Sequence, residues 1–340
     1  MNFKKRIKNV SKNIRNVAYL VTNRADIFYL TGVDLDGFYL LVKGQKIFAF
    51  CSLLLKAQLE SLLKGIEIIS GENLLSLITN FLKKKKIRIL GLNPKFISHS
   101  LYLELKKNFK IKLLDPISSL RQIKDREEIE YIKKSCKIAL KTLKIIKKMV
   151  RPGVSEEQIA FKIEEYFSKS KAKPAFPPIV AFGVNTAKPH HIPTSKKARK
   201  NDIITIDLGS IYKGYCSDLT RTFFLGKIPT PVKKVYHLIK EAQSRAIYYI
   251  NKARKVGEID KAARDIISQN GYGKYFVHST GHGLGIEVHE APKVNKENNY
   301  PIRQGMVLTV EPGIYISGKF GVRIEDTVLV TKKGFEILTK

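Results

Sequence analysis

The order of elements repeats in the second half of the chain, and this repeat constrains the fold more than any other feature. In each copy, two segments whose apolar residues recur with helical spacing precede segments of strand-like composition. The predicted helices begin near Arg126 and after a capping box at Ser155, then span about Val232–Ala253 and Ile259–Gln269. The predicted strands are Ile179–Val184, Ile203–Tyr212, Tyr215–Leu225, Val307–Glu311 and Gly321–Val330. We therefore predict an internally duplicated α+β domain with a cleft between its halves, a natural place for a site.

The first part of the chain, to about Leu120, alternates short apolar runs with helical ones. The predicted strands are Ala18–Thr22, Phe38–Val42, Lys46–Phe50, Ile66–Ile69 and Ile87–Leu90, and the predicted helices are Leu53–Leu63 and Leu74–Lys84. This alternation predicts an α/β domain with helices packed on a mixed sheet. Since 340 residues exceed the usual size of one domain, we expect two domains, residues 1–120 and 121–340.

The chain is strongly basic, with 62 Lys and Arg against 30 Asp and Glu and a net charge of +32. One interpretation is a polyanionic partner, and the other is a set of solvated lysines spread over the surface. The second is favoured because runs such as Lys83–Lys86 and Lys196–Lys200 flank apolar periodic segments, without a nucleic-acid motif and without tryptophan. We expect no specific nucleic-acid partner.

The sequence also bears on the compartment. No uncharged apolar stretch reaches about eighteen residues, so no membrane-spanning helix is predicted. The basic segment Met1–Val10 is followed by no apolar signal core. The three cysteines, Cys51, Cys136 and Cys216, lie far apart and form no recognisable disulfide framework. These features predict a cytoplasmic protein.

Two aspartates lie close to the turn at Lys213-Gly214. Asp207 ends an apolar run before the turn, and Asp218 lies on the next strand-like segment. If the turn is a two-residue hairpin loop, Asp218 lies opposite Gly209 and has Asp207 as its diagonal neighbour, so both carboxylates point to one face. Diagonal residues are about 7–8 Å apart at Cα, from where two carboxylates can converge on a metal pair. The alternative is a hairpin that carries two solvent-exposed acids.

Three of the seven histidines of the chain, His278, His282 and His289, fall in one short segment. The glycines between them allow close backbone approach, and the alternation of Ile286 and Val288 predicts a strand. A lone histidine is commonly a core residue, but three histidines at this density beside glycines indicate a site.

Two glutamates complete the candidate ligands. Glu311 ends an apolar run, and Glu325 alternates with apolar residues in another. With Asp207, Asp218 and His282 they form a set of four carboxylates and one imidazole. Such donors suit Mn²⁺ or Co²⁺, with Zn²⁺ as a further candidate, and are too many acids for a structural zinc site. Four clustered acids require cations, and two ions about 3.5–4 Å apart that share a water are typical of two-metal hydrolases.

These residues resemble those of the pita-bread metallopeptidases, a family that includes methionine aminopeptidases, Xaa-Pro aminopeptidases, prolidases and creatinase. Asn23–Val42, with Tyr29-Leu30-Thr31-Gly32, resembles the creatinase-type N-terminal domain, and the chain from about Arg121 to Lys340 resembles the catalytic domain. The histidine-rich segment resembles the signature of the proline-specific branch. The resemblance implies a pita-bread catalytic domain preceded by a smaller creatinase-type α/β domain.

The resemblance also implies roles for single residues. It places two divalent ions, with Mn²⁺ as the first choice, on Asp207, Asp218, His282, Glu311 and Glu325, with Glu311 also as general base. It implies that His190 contacts substrate near the scissile bond, that His289 stabilises the oxyanion and that His278 lines the proline side. Tyr315 and Arg323 match further substrate-side positions. His191 departs from the family pattern, in which small residues are common, and receives no role.

The implied activity is that of an Xaa-Pro aminopeptidase, which acts on peptides with proline in the second position, in a homodimer. The N-terminal domain argues against a methionine aminopeptidase, and the complete ligand set argues against creatinase, which works without metals. One alternative is a prolidase, which accepts only dipeptides. The other is a non-catalytic module that binds peptide or nucleic acid, favoured by the charge of +32 but opposed by the intact ligand set.

Overall fold

The computed structural model of the protein describes residues 1–340, which form two compact units, Met1–Arg121 and Gln122–Lys340. The candidate site residues belong to the second unit. None of the helices combines the length and the apolar composition needed to cross a membrane.

Six strands form a mixed sheet in Met1–Arg121. They are β1 (Ala18–Val21), β2 (Phe38–Lys43), β3 (Lys46–Cys51), β4 (Glu67–Ser70), β5 (Ile89–Leu92) and β6 (Lys110–Leu113), in the sheet order β4-β3-β2-β1-β5-β6. β1 pairs antiparallel with β2 and parallel with β5, which confirms the predicted mixed sheet. The core of this unit includes Leu41, Phe50 and Leu90.

The helices of this unit are α1 (Phe3–Ile14), α2 (Arg24–Thr31), α3 (Lys56–Leu62), α4 (Leu74–Lys84), α5 (His99–Lys106) and the short α6 (Ser118–Arg121). The predicted helix Leu74–Lys84 is confirmed as α4. The predicted helix Leu53–Leu63 begins too early, because Leu53–Leu55 form a 3₁₀ turn before α3. It missed α1, α2 and α5. The consecutive residues from Ala25 to Leu30 in α2 are all buried, so their sequence shows no amphipathic period.

Gln122–Lys340 consists of two halves, in each of which a pair of helices covers a sheet. The first half contains α7 (Arg126–Met149), α8 (Glu156–Lys169), β7 (Lys173–Pro174), β8 (Ile179–Phe182), β9 (Ile203–Leu208), β10 (Ser210–Tyr212), β11 (Tyr215–Cys216) and β12 (Leu219–Phe224). The predicted capping box of Ser155 and Gln158 starts α8. α7 and α8 pack on the sheet β12-β9-β8 through a core that includes Ile146, Ile163 and Ile206.

The second half repeats this arrangement. It contains α9 (Thr230–Tyr249), α10 (Gly257–Gln269), β13 (Gly281–Gly283), β14 (Glu290–Val294), β15 (Val307–Val310), β16 (Gly313–Ile316), β17 (Phe320–Arg323), β18 (Asp326–Thr331) and β19 (Gly334–Ile337). The sheet β14-β13-β15-β18-β19 shares a core with α9 and α10 that includes Ile239, Ile259 and Leu308. The repeat confirms the predicted duplicated α+β domain.

Three predicted strands are interrupted in the structure. Ile203–Tyr212 breaks at Gly209, Tyr215–Leu225 breaks at Ser217 and Asp218, and Gly321–Val330 breaks at Ile324 and Glu325. At each break the chain passes from one sheet into another. β9 and β12 belong to one sheet and β10 and β11 to a second, while β17 and β18 belong to two further sheets. Asp218 and Glu325 therefore lie where the chain changes sheet.

Candidate metal centre and the surrounding pocket

A cavity of about 650 Å³ in the second unit brings the predicted site residues together. All five candidate metal ligands line it, together with His190, His278, His289 and Arg323. Tyr315 does not line the cavity, but its hydroxyl bonds to Arg323 and lies 3.0 Å from His278 Nε2. The residues that sequence analysis selected from distant segments are thus neighbours in space.

The hairpin between β9 and β12 has the predicted register. Lys213 and Gly214 form a two-residue loop in which both have positive φ, the geometry of a type I′ turn. On the far side of the break, Asp207 pairs with Thr220, the register that sets Gly209 opposite Asp218. Both aspartates are buried, with 8% and 5% of their surface exposed, which excludes the alternative of exposed acids.

Gly209 makes this change of sheet possible. A Cβ atom at this position would lie 2.1 Å from the carbonyl oxygen of Ser217, so no other residue fits without a shift of the backbone. The glycine thus allows the two strands to approach closely between the two aspartates.

Three candidate ligands come from the second half and lie on or next to adjacent strands. His282 is in the middle of β13, Glu311 directly follows β15, and Glu325 directly precedes β18. Val310 pairs with Asp326, which brings the two glutamates to one end of the sheet. The backbone N–H of Glu325 donates to Thr220 O at 3.1 Å, which joins this end to β12 of the first half.

The imidazole of His282 is oriented toward the acids. Its Nδ1 lies 3.0 Å from Gly283 O, and because a carbonyl only accepts, Nδ1 carries the hydrogen. Nε2 then faces Glu311 Oε1 at 3.3 Å and Asp218 Oδ2 at 3.7 Å. Asp218, His282 and Glu325 each contribute one donor atom to a group within 4.8 Å. A backbone bond that fixes the ring is typical of histidine ligands to metals.

The electrostatics of this cluster favour a cation. Burial, and then repulsion from neighbouring acids, raises the pKa of Asp218 and that of Glu325 well above their usual range. Asp207 Oδ1, Asp218 Oδ1 and Glu325 Oε1 are buried and have no hydrogen-bond partner. Buried carboxylate oxygens without donors are unfavourable unless a cation meets them. The donor set therefore fits hard or borderline divalent ions.

Glu311 and His282 differ from the other ligands in their protonation. Burial alone would raise the pKa of Glu311, but the hydrogen bond from His282 outweighs it and the pKa is lowered. Burial likewise would lower the pKa of His282, but Glu311 outweighs it and raises the pKa. A proton shared between these two groups partly neutralises the cluster, and a bound cation would displace it.

Arg323 links the cluster to the pocket wall. Its guanidinium is buried and donates to Asp207 Oδ2 at 2.6 Å, to Tyr315 Oη at 2.8 Å and to Pro189 O at 3.1 Å. Its Nε donates to Thr220 Oγ1 at 3.1 Å, and that hydroxyl donates to Glu325 Oε2 at 2.7 Å. Arg323 thus neutralises one acid and orients a second one through Thr220.

Three further histidines line the same cavity as the candidate ligands. His278 donates from Nδ1 to Ser279 O at 2.8 Å, which leaves Nε2 to accept from Tyr315 Oη at 3.0 Å. The ring of His289 stands edge to face with that of His282, with 4.4 Å between centroids. Burial is the main cause that lowers the pKa of His278 and that of His289, so both rings are neutral at neutral pH. His190 is exposed and also lines the cavity.

The prediction of a strand around Ile286 and Val288 is wrong. β13 ends at Gly283, and residues 284–289 form a bend before β14. The backbone N–H of Gly285 donates to Glu287 O, and the backbone N–H of Glu287 donates to the Glu290 carboxylate at 3.0 Å. The bend, and not a strand, presents His289 to the cavity.

The residues that hold the candidate ligands and the histidine loops in place were not predicted from the sequence. They are Glu156, His191, Thr194, Thr220, Asp260, Arg264 and Thr309. The i, i+4 spacing of Asp260 and Arg264 is compatible with an ion pair on a helix, but such pairs commonly face solvent and do not by themselves signal a site. Glu156 was indistinguishable from an ordinary acid in a first helical turn.

Comparisons with known proteins agree with this geometry. Residues 130–332 match metallopeptidase family M24, and residues 6–123 match the creatinase/prolidase N-terminal domain. An Xaa-Pro dipeptidase from Pyrococcus horikoshii is 37% identical over 344 aligned residues, which cover 99% of this chain and 96% of the relative. The solved structure of an Xaa-Pro dipeptidase from Bacillus anthracis matches with a TM-score of 0.95 and 32% identity, covering 100% of this chain and 98% of that one. An X-Pro aminopeptidase from Thermotoga maritima MSB8 matches with a TM-score of 0.87 and 32% identity, covering 97% of each chain.

Proposed function

The chain belongs to metallopeptidase family M24, and we propose that it is an Xaa-Pro dipeptidase, which hydrolyses the bond in front of proline in a dipeptide. The observation that carries the proposal is the buried cluster of four carboxylates and His282, three of whose oxygens have no hydrogen-bond partner. The relatives named Xaa-Pro dipeptidase, which this chain matches over nearly its whole length, support the substrate class.

The choice of a dipeptidase departs from the expectation of an aminopeptidase, which the comparisons leave unconfirmed. The aminopeptidase stays the second candidate, because the Thermotoga maritima X-Pro aminopeptidase has the same 32% identity as the Bacillus anthracis dipeptidase. The non-catalytic binding module is disfavoured, since a module without metals has no use for buried acids whose pKa is raised by burial and mutual repulsion.

The proposed metal ligands are Asp207, Asp218, His282, Glu311 and Glu325, which would hold two divalent ions, with Mn²⁺ as the first choice. When bound, such ions polarise the scissile carbonyl and lower the pKa of a nearby water. Arg323 holds Asp207 by one oxygen and leaves the other, Oδ1, directed to the ligand set. The chain thus supplies a preorganised anionic site.

Glu311 is the proposed general base. Its carboxylate lines the cavity beside His282 and would accept a proton from the attacking water. Thr309 Oγ1 donates to Glu311 Oε1 at 3.3 Å and itself accepts from the backbone N–H of His282 at 3.1 Å. Glu311 then passes the proton to the departing nitrogen of proline.

The histidines are proposed to bind and orient the substrate. His289 is neutral because burial lowers its pKa, and it donates a hydrogen bond to the oxygen of the scissile carbonyl as negative charge develops there. His190, which lines the cavity, contacts the substrate near the scissile bond, and His278 lines the proline side. Burial raises the pKa of Tyr315 to about 12, so its hydroxyl stays protonated and holds His278 in place.

The test of the proposal is a comparison of substrate lengths with the Mn²⁺-loaded chain. An Xaa-Pro dipeptide and the same sequence extended by one residue are assayed for release of the first residue. Cleavage of the dipeptide alone supports a dipeptidase, and cleavage of both supports the aminopeptidase. Cleavage of neither contradicts both activities and leaves the binding module.

A further inference from the structure

A second buried carboxylate lies outside the metal cluster and is not used in the proposed mechanism. Glu156, in the first turn of α8, is fully buried and accepts five hydrogen bonds. Oε1 accepts from Phe182 N at 2.8 Å and from Asn185 Nδ2 at 2.9 Å. Oε2 lies 2.8 Å from His191 Nε2 and accepts from Thr194 N at 3.0 Å and Thr194 Oγ1 at 2.6 Å.

The donors to Glu156 lie on both sides of His190 in the sequence. Phe182 ends β8, and Asn185 belongs to the 3₁₀ turn Gly183–Ala187. His191 directly follows His190, and Thr194 comes three residues later. One carboxylate therefore fixes the loop before and after the residue that projects into the cavity. On its other side the loop is held by Arg323, which donates to Pro189 O at 3.1 Å.

The charge of Glu156 is matched by these donors. Burial alone would raise the pKa of this carboxyl, but the hydrogen bonds from His191, Thr194 and Asn185 outweigh burial and lower it. No Lys or Arg pairs with Glu156 among its hydrogen-bond partners, so its ionised form depends on the loop donors. Loss of the carboxylate would leave several buried donors without an acceptor.

The second half contains a corresponding buried acid. Asp260 on α10 is also fully buried, and it accepts from Thr280 N at 3.0 Å and from Arg264 Nη2 at 2.9 Å. Arg264 Nη2 donates in turn to His278 O at 2.8 Å. In each half, the second helix thus carries a buried acid that fixes the loop of one cavity histidine.

We propose that Glu156 is a positioning residue that holds His190 at the substrate pocket through His191 and Thr194. The proposal rests on the proposed function for the contact of His190 with substrate. It also gives a role to His191, whose side chain adds a donor to Glu156. Glu156 acts by ordering the loop that carries His190, and its loss is expected to slow turnover.

The first experiment is a double-mutant cycle on the Mn²⁺-loaded chain. Glu156→Gln keeps the volume of the side chain but replaces one carboxylate oxygen by an NH₂ group, which cannot accept hydrogen bonds. The substitution therefore loses either the two hydrogen bonds to Oε1 or the three to Oε2. We expect kcat/KM on an Xaa-Pro dipeptide to fall about 10–100-fold, as for other small displacements of substrate-contacting groups. In a His190→Ala background the same substitution should change kcat/KM by less than about twofold, because the residue it positions is absent. Equal effects in both backgrounds contradict the proposal.

A control and a second readout separate positioning from general instability. Ile163→Ala removes a buried apolar side chain of α8 that belongs to the core and is not a hydrogen-bond partner of the loop. If Ile163→Ala lowers the melting temperature as much as Glu156→Gln does, it should still leave kcat/KM per folded molecule unchanged. Amide hydrogen exchange of residues 183–194 should accelerate in Glu156→Gln and in His191→Ala, but not in Ile163→Ala.

The exchange readout also distinguishes this proposal from the proposed function. If the wild-type chain cleaves no Xaa-Pro peptide, the proposed function fails, while faster exchange confined to the Glu156 and His191 variants still shows that Glu156 fixes the loop. Unchanged exchange of residues 183–194 in Glu156→Gln overturns the proposal whatever the activity.

Discussion

Arg323 donates a hydrogen bond of 2.6 Å from Nη2 to Asp207 Oδ2, across a separation of 116 residues. The two residues belong to different halves of the duplicated domain, and both are buried. The other oxygen of Asp207 has no partner. One oxygen is thus neutralised by the protein, and the other is left for a cation, in the manner of residues that orient metal ligands from behind.

This pair predicts a conditional loss of stability in Arg323→Met. In the metal-free protein, the free energy of unfolding should fall by about 3–5 kcal/mol, because Asp207 is left buried without a cation. Saturating Mn²⁺ should recover part of this loss. Urea unfolding with and without Mn²⁺ measures both values. The same substitution at the exposed Arg24, which pairs with Asp34 and Asp36, should cost less than about 1 kcal/mol; an equal loss at both sites would contradict the account.

The opposite effect is expected at Asp218. Its pKa is raised by burial and by repulsion from Glu325 and Asp207, so Asp218→Asn should stabilise the metal-free protein at neutral pH. The expected gain is about 1.4 kcal/mol for each pH unit between the unfolded and folded pKa values that lies below the working pH. Peptidase activity and stabilisation by Mn²⁺ should both be lost. Thermal unfolding in EDTA tests the first point, with Asp265→Asn at a half-exposed position on α10 as a control. A destabilised Asp218→Asn would show that the cluster is not under repulsion.

The same shifts set a pH dependence. The folded-state pKa values of Asp218 and Glu325 lie above those of the unfolded chain. Between the unfolded-state and the folded-state pKa of each carboxyl group, the folded state binds more protons than the unfolded chain. The metal-free protein therefore loses stability as pH rises through that interval. A divalent ion binds only the deprotonated acids, so stabilisation by Mn²⁺ should grow with pH over that interval. Melting temperatures with EDTA or Mn²⁺ between about pH 5 and 8 test this, and a shift that shrinks as pH rises would oppose it.

Tyr315→Phe probes the link between Arg323 and His278. The hydroxyl accepts from Arg323 Nη1 and donates to His278 Nε2. Its loss should lower stability by about 1–2 kcal/mol and kcat/KM by about 3–10-fold, while Mn²⁺ affinity stays unchanged. Calorimetric titration of Mn²⁺ and steady-state kinetics separate the two effects. Tyr212→Phe, at a residue that packs on Tyr131 outside the cavity, serves as control. A large loss of Mn²⁺ affinity in Tyr315→Phe would place the hydroxyl in the metal site instead.

The sequence predicted the candidate ligands because each carries its own local signal. Asp207 and Glu311 end apolar runs, and His282 lies in a segment dense in histidine and glycine. The hairpin register followed from Lys213-Gly214, since a two-residue turn fixes all later pairings. The duplicated domain followed from the repeated order of helices and strands.

Features that depend on long-range packing were not predictable in this way. Burial of Glu156 requires a loop of residues 182–194 folded over α8, and nothing in the first helical turn signals it. The break at Gly209 depends on the close approach of Ser217 from the other strand. The bend that carries His289 replaced a predicted strand, because hydrogen bonds to Glu290 and between Gly285 and Glu287 outweigh the alternation of apolar residues.

The most direct test of the account is metal add-back with matched dipeptides. The chain is stripped of metal, titrated with Mn²⁺, and assayed on an Xaa-Pro dipeptide and on the corresponding Xaa-Ala dipeptide. The account predicts no cleavage without metal, cleavage of the Xaa-Pro dipeptide alone as about two ions bind per chain, and no recovery in Asp218→Asn. Cleavage that persists without metal, or equal cleavage of both dipeptides, would contradict it.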